Sequence, residues 1–275
     1  MGFSLNKRVL REQMLSLVSA PHPSPLFMFG NQKSGTSAIA GLLAASTGQR
    51  LIADFAGARE PYIGRLLRGE TTIADYVSAN TWAFSAPIVK EPSLTFVASR
   101  LMEHFTRSRA VFIIRDPWAN IRSILNRLDL RGDTEFPVQT ATRNINRNWQ
   151  SILRGHDLGL EPGHFVTILA RRWLRAAEIC EKLENRAAVV RYEDFNRRKI
   201  AIIGELAGNL NLPIRNSITA LADHQFQPRG QQSDLAEFFG PNLKRINDIC
   251  AEKAWRFGYE TPSRFARAEP APYAA

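Results

Sequence analysis

One stretch limits what this chain can fold into more than any other: residues 25 to 47, PLFMFGNQKSGTSAIAGLLAAST. A short apolar run, Leu26 to Phe29, ends at Gly30. A Gly/Ser/Thr loop follows and opens directly into a helical pattern that Gly48 closes. Strand, tight loop and helix start in that order direct loop N–H groups and the positive end of a helix at one anion. The chain is therefore expected to be an α/β protein that binds a phosphate-like group between a buried strand and a helix.

The spacing narrows the chemistry. A kinase-type phosphate loop reads G-x-x-x-x-G-K-[ST]. Here Gly30 and Gly35 have that separation, but Thr36 stands where the lysine belongs, and the basic residue is Lys33. Such a loop holds a phosphate and is poorly equipped to transfer a γ-phosphoryl group. Lys33 would sit beside the terminal group of the bound anion and stabilise charge on a bridging oxygen as that bond breaks. The hydroxyls of Ser34, Thr36 and Ser37 add donors around Gly35.

The rest of the chain alternates short strands with helices. Leu51 to Phe55, Pro87 to Lys90, Val111 to Ile114 and Ala188 to Arg191 read as strands. The run VFII at 111 to 114 has no polar alternation, as expected of a strand buried on both faces. Helical patterns cover residues 60–79, 93–105, 163–183, 200–210 and 242–257, with a short amphipathic helix near the N-terminus. Asp116 followed by Pro117 is a helix start. This order implies a single three-layer domain, with a central parallel sheet and helices on both faces, over residues 1–262. Residues 129–162 are polar and arginine-rich, and read as a helical substrate-binding insertion or lid; residues 263–275 read as a loose tail. With 44% hydrophobic residues among 275, a large core is available.

The net charge of +10 points to an anionic partner. No zinc-ligand spacing, RNA-binding aromatic motif or basic block accompanies it, so nucleic acid is not expected, and a small polyanionic cofactor accounts for the charge as well. Cys180 and Cys250 make no disulfide framework and read as free core thiols. No apolar run reaches the roughly 20 residues that cross a bilayer. No stable membrane insertion is expected, and a reduced, cytoplasmic setting is the simplest expectation.

A second group of residues belongs with the phosphate loop. The strand at 111 to 114 delivers Arg115 at its C-terminal edge, where open α/β sheets bind ligands. Ser123 lies two turns into the next helix. Arg115 and Ser123 can together hold one more phosphate, the arginine by a bidentate fork.

These two segments resemble the sulfotransferases that use 3′-phosphoadenosine 5′-phosphosulfate (PAPS). In that family the first loop, here Lys33 to Ser37, binds the 5′-phosphosulfate. An Arg and a Ser eight residues apart, here Arg115 and Ser123, bind the 3′-phosphate. Three further pieces are similar. Val190 to Phe195 (VRYEDF) matches a segment whose tyrosine, here Tyr192, lies by the adenine. Arg229 and Gly230 match a late loop near the 3′-phosphate, and Ala254 to Tyr259 (AWRFGY) matches the C-terminal ending. The segment IVKEP at 88 to 92 looks more like the K-x-P of carbohydrate- and protein-modifying members than the K-T-H of cytosolic phenol and steroid enzymes.

The resemblance implies a sulfotransferase fold and PAPS as donor, with 3′,5′-ADP as product and no metal. It implies that Lys90 touches the sulfuryl group and that the general base is a carboxylate after the second strand, Asp54 or Glu60. Glu91, or one of the five histidines, is a further candidate base. The acceptor hydroxyl is expected on a carbohydrate or another anionic molecule. Trp149, Trp173 and Trp255 are expected in the core or the acceptor-pocket wall. A P-loop nucleotide kinase or NTPase, and a non-catalytic module binding anions or nucleic acid, are the competing classes.

Overall fold

The computed structural model describes residues 7–135, 145–222 and 234–262. Five parallel strands form one sheet: β1 (Leu26–Phe29), β2 (Leu51–Ala53), β3 (Ile88–Lys90), β4 (Arg109–Ile114) and β5 (Ala187–Arg191). Their spatial order is β2-β3-β1-β4-β5, which makes β1 the central strand. Every residue of β1 is buried, and alternate side chains supply opposite faces. Phe27 and Phe29 pack with Phe84, Phe105 and Phe112 on one side. Leu26 and Met28 pack on the other with Ile39, Leu43 and Ile203. A strand buried on both faces needs that unbroken apolar run.

The helices follow in chain order. They are α1 (Lys7–Leu17), α2 (Thr36–Thr47), α3 (Tyr62–Leu67), α4 (Ile73–Ala79), α5 (Thr81–Phe84) and α6 (Ala98–His104). After β4 come α7 (Pro117–Arg127), α8 (Arg147–Arg154) and α9 (Phe165–Lys182). After β5 come α10 (Tyr192–Arg197), α11 (Lys199–Asn209), α12 (Thr219–Ala222), α13 (Leu235–Phe239) and α14 (Leu243–Arg256). Two of these, α2 and α11, cover one face of the sheet. A third apolar cluster joins α7, α9 and α14 around Trp118, Trp173 and Ile246. Among the described residues no helix is long and apolar enough to cross a membrane.

Four expectations change in detail. The second strand stops at Ala53, because Asp54 has φ 51 and turns the chain out of the sheet, while Phe55 enters the core at 1% exposure. The segment 60–79 is two helices, separated by a turn at Gly69 (φ 78) and restarted by Thr72, whose side chain accepts from Asp75 N. The pattern at 93–105 begins as a 3-10 helix over Pro92–Val97 and becomes α-helical only in α6. Trp255 is neither core nor pocket wall: it is 76% exposed. The buried stripe of α14 runs through Leu243, Ile246, Cys250 and Ala254, and residue 255 falls outside that stripe. Cys180 and Cys250 are both buried core thiols, as expected.

Candidate active site

At the C-terminal edge of β1 the loop is shaped by backbone that a side chain would obstruct. Gly30 has φ 145, and a Cβ there would lie 2.5 Å from Ile113 O on the neighbouring strand. Its N–H donates to Thr95 Oγ1 at 2.8 Å, which ties the loop to the 3-10 helix after β3. Lys33 and Gly35 both take left-handed angles, φ 64 and φ 98. The chain then enters α2 at Thr36, so the loop curls in front of a helix N-terminus. Ser34 Oγ is buried and has no hydrogen-bond partner, a donor the fold itself does not use.

Arg115 leaves β4 beside this loop. Its Nη1 donates to Lys33 O at 2.7 Å, and its guanidinium lies 4.5 Å over the ring of Tyr192. The same ring closes on Gly35, where a Cβ would come within 2.2 Å of it. Tyr192, Gly35 and Arg115 thus form one stacked unit. Arg115 Nε is buried without a partner, a second unused donor. Asp116 caps α7 by accepting from Ala119 N at 2.7 Å. Burial raises its carboxyl to about 6, with the Glu193 carboxylate adding to the rise. Burial, with the positive charges of Arg115 and Arg127, lowers the Lys33 ammonium to about 8.

Lys33, Gly35, Arg115 and Tyr192 open into one cavity of about 1390 Å³, which Ser123 and Lys199 also line. On its far side stand Asp54, Lys90 and Glu91. Lys90 Nζ donates to Asp54 Oδ1 at 2.8 Å. The adjacent carboxyl of Glu91 is pushed up to about 7 by burial and then by Asp54, and it accepts from Ser93 N at 3.1 Å. Glu60 lines the same cavity, but its carboxylate accepts from Ser151 Oγ at 2.8 Å and packs against Gly64. Its backbone N–H donates to Asn148 Oδ1 at 3.3 Å. Glu60 therefore joins α3 to α8. Trp149 lines the cavity and Trp173 is buried, its Nε1 donating to Arg115 O at 2.8 Å. His164 is the N-cap of α9. Arg229 and Gly230 lie outside the described residues. Among the described residues no cluster of three or more His, Cys, Asp or Glu could hold a metal ion.

Arg172, which the sequence reading did not single out, supports the Gly30–Gly35 loop through Gln32. It is on α9, fully buried, and lies 4.4 Å over the ring of Phe96. Its Nε donates to Gln32 Oε1 at 3.0 Å and its Nη1 to Asp157 Oδ2 at 2.5 Å. Gln32 in turn donates to Ser93 Oγ at 3.2 Å. The available signal was an arginine on the buried stripe of an apolar helix, between Leu169 and Trp173. A buried arginine needs such partners.

No family model matches the sequence, and no curated protein matches it. Solved structures do. The sulfotransferase STF9 from Mycobacterium avium aligns at TM-score 0.54, with 15% identity over 94% of this chain and 83% of that one. This chain has the sulfotransferase fold. Another such structure, the sulfotransferase STF1 from Mycobacterium tuberculosis H37Rv, aligns at TM-score 0.50, with 12% identity over 88% of this chain and 81% of that one. Within this sulfotransferase fold, Lys33, Gly35, Thr36 and Ser37 of the loop line one cavity together with Arg115 and Ser123.

Proposed function

We propose that the protein is a PAPS-dependent sulfotransferase that moves a sulfuryl group to an acceptor hydroxyl. The observation that carries this reading is one cavity lined by the Lys33–Ser37 loop, by Arg115 with Ser123, and by the Lys90–Asp54 pair. The loop and the α2 N-terminus hold the 5′-phosphate, Arg115 and Ser123 the 3′-phosphate, and the Tyr192 face the adenine. PAPS supplies a sulfuryl group on a phosphate leaving group.

Asp54 is the base in this reading. It removes the acceptor's proton as the acceptor oxygen bonds to sulfur. The bond from sulfur to the bridging phosphate oxygen breaks, and that oxygen keeps the electron pair. Lys33 stabilises the charge growing there, and Lys90 the charge on the sulfuryl oxygens. In this reading two lysines take the part that magnesium has in phosphoryl transfer. Glu60 holds α8 at the cavity rim instead of taking the proton. The acceptor class we favour is a carbohydrate or another anionic hydroxyl compound.

A thermal-shift titration tests the donor assignment, using adenosine 3′,5′-bisphosphate against ADP and ATP, each with and without magnesium. The bisphosphate alone, at 100 times its Kd, is expected to add about 2.7 kcal/mol of stability. Stabilisation only by ATP with magnesium would return the chain to a kinase-like account, and stabilisation by none would overturn the donor site.

A further inference from the structure

We infer that the acceptor carries an anionic group, and that Arg59 and Arg147 hold it at the rim of the cavity. This rests on the sulfotransferase reading and adds to it the residues that hold the acceptor's charge. The cavity of about 1390 Å³ extends beyond the Lys33–Ser37 loop and Arg115, and it is also lined by the loop after β2 and by α8. Arg59 comes from the first of these and Arg147 from the second. Glu60 N donates to Asn148 Oδ1 and Ser151 Oγ donates to Glu60 Oε1, so the two arginines are each next in sequence to a residue of one fixed junction.

Neither arginine forms an ion pair with a carboxylate of the described residues, whereas Arg68, Arg131, Arg197 and Arg256 each have one nearby. The carboxylate closest in sequence, that of Glu60, is engaged by Ser151. Two guanidinium groups that line the cavity with no carboxylate of the described residues within ion-pair distance leave their forks for a ligand's carboxylate, sulfate or phosphate. Trp149, capped in place by Asn146 Oδ1 at 3.1 Å from its backbone N, adds a half-buried flat wall beside them. The combination favours a ring compound bearing both a hydroxyl and an anionic substituent.

The test is calorimetric binding of 4-nitrophenyl β-D-glucuronide and 4-nitrophenyl β-D-glucoside, with and without adenosine 3′,5′-bisphosphate. The two probes differ only in a carboxylate replacing a CH₂OH. The glucuronide is expected to bind about tenfold tighter, and the preference is expected to vanish in R59A/R147A. An R11A/R107A variant removes the same charge away from the cavity and is expected to keep the preference. Equal affinities, binding of neither probe, or a preference that survives R59A/R147A would overturn the inference. Failure of the donor reading would show separately, as absence of bisphosphate binding, while the glucuronide preference measured without bisphosphate still reports on the two arginines.

Discussion

Lys90 and Asp54 share a 2.8 Å ion pair but not an environment: the lysine side chain is 4% exposed and the aspartate 61%. The pairing follows from the sheet. Adjacent parallel strands β2 and β3 bring Ala53 level with Lys90, and the left-handed turn at Asp54 then projects the carboxylate into the cavity. A buried ammonium has no solvent to turn to, so a negatively charged group is its favourable neighbour. In the proposed reaction the sulfuryl group would offer Lys90 other oxygens and release Asp54 to accept a proton.

Asp54→Asn is accordingly expected to lower kcat by about 10²–10⁴-fold while leaving bisphosphate affinity unchanged. Glu60→Gln keeps much of its contact with Ser151 and is expected to raise acceptor KM more than it lowers kcat. Steady-state kinetics on both variants decides between the carboxylates. Full kcat in Asp54→Asn together with a collapse in Glu60→Gln would reverse their roles.

Lys33 predicts a pH signature. Its folded pKa, about 8, lies below its ordinary value of 10.5, so the folded site carries a penalty for the charge. That penalty is present while the lysine is protonated in both states and is lifted as pH rises from about 8 towards 10.5. Stability without ligand should therefore gain from this group over that window, while affinity for the anionic bisphosphate should fall. Binding near pH 8 should draw in a proton, because the ligand's charge favours the ammonium. Calorimetry in buffers of different ionisation enthalpy measures the uptake. Uptake as large in Lys33→Met as in the parent chain would rule out Lys33 as its source.

The parts of this site legible in the sequence are those made by neighbours along the chain. The LFMF and VFII runs mark buried strands because a strand covered on both faces has no polar alternation. The Gly30–Gly35 spacing and the Arg115, Asp116, Pro117 order mark the turns at the two strand ends. What joins residues far apart was not legible. Gln32 and Arg172 meet across 140 positions, and nothing local in either segment announces the other. Glu60 looked like a loop carboxylate because Ser151, its partner, lies 91 positions away. Asp54 ended its strand early through a left-handed backbone angle that an aspartate tolerates but does not require.

The Arg172–Asp157 pair should dominate stability out of proportion to its distance from the chemistry. Both side chains are buried, at 0% and 4% exposure, and removing one leaves the other charged in the interior. Arg172→Met is expected to cost about 3–5 kcal/mol in urea unfolding. The double variant R172M/D157L, which leaves no unpaired charge, is expected to recover a large part of that. Bisphosphate affinity should remain weakened in the double variant, because Gln32 has still lost its support. Recovery of stability and affinity together would mean that Arg172 does not position the loop.

Gly35 separates the cost of a backbone angle from the cost of an obstructed site. Gly35→Ala places a Cβ at φ 98 and within 2.2 Å of the Tyr192 ring, whereas Gly69→Ala places one at φ 78 with nothing within 4 Å. Both variants should lose about 1–2 kcal/mol to the left-handed conformation. Only Gly35→Ala has to displace Tyr192, and with it the ring on which Arg115 stacks. Bisphosphate affinity should therefore fall in Gly35→Ala and stay at the parent value in Gly69→Ala. Chemical denaturation and bisphosphate titration on the pair measure the two effects separately. Parent-like affinity in Gly35→Ala would detach the Tyr192–Gly35 contact from ligand binding and leave the glycine a purely conformational role.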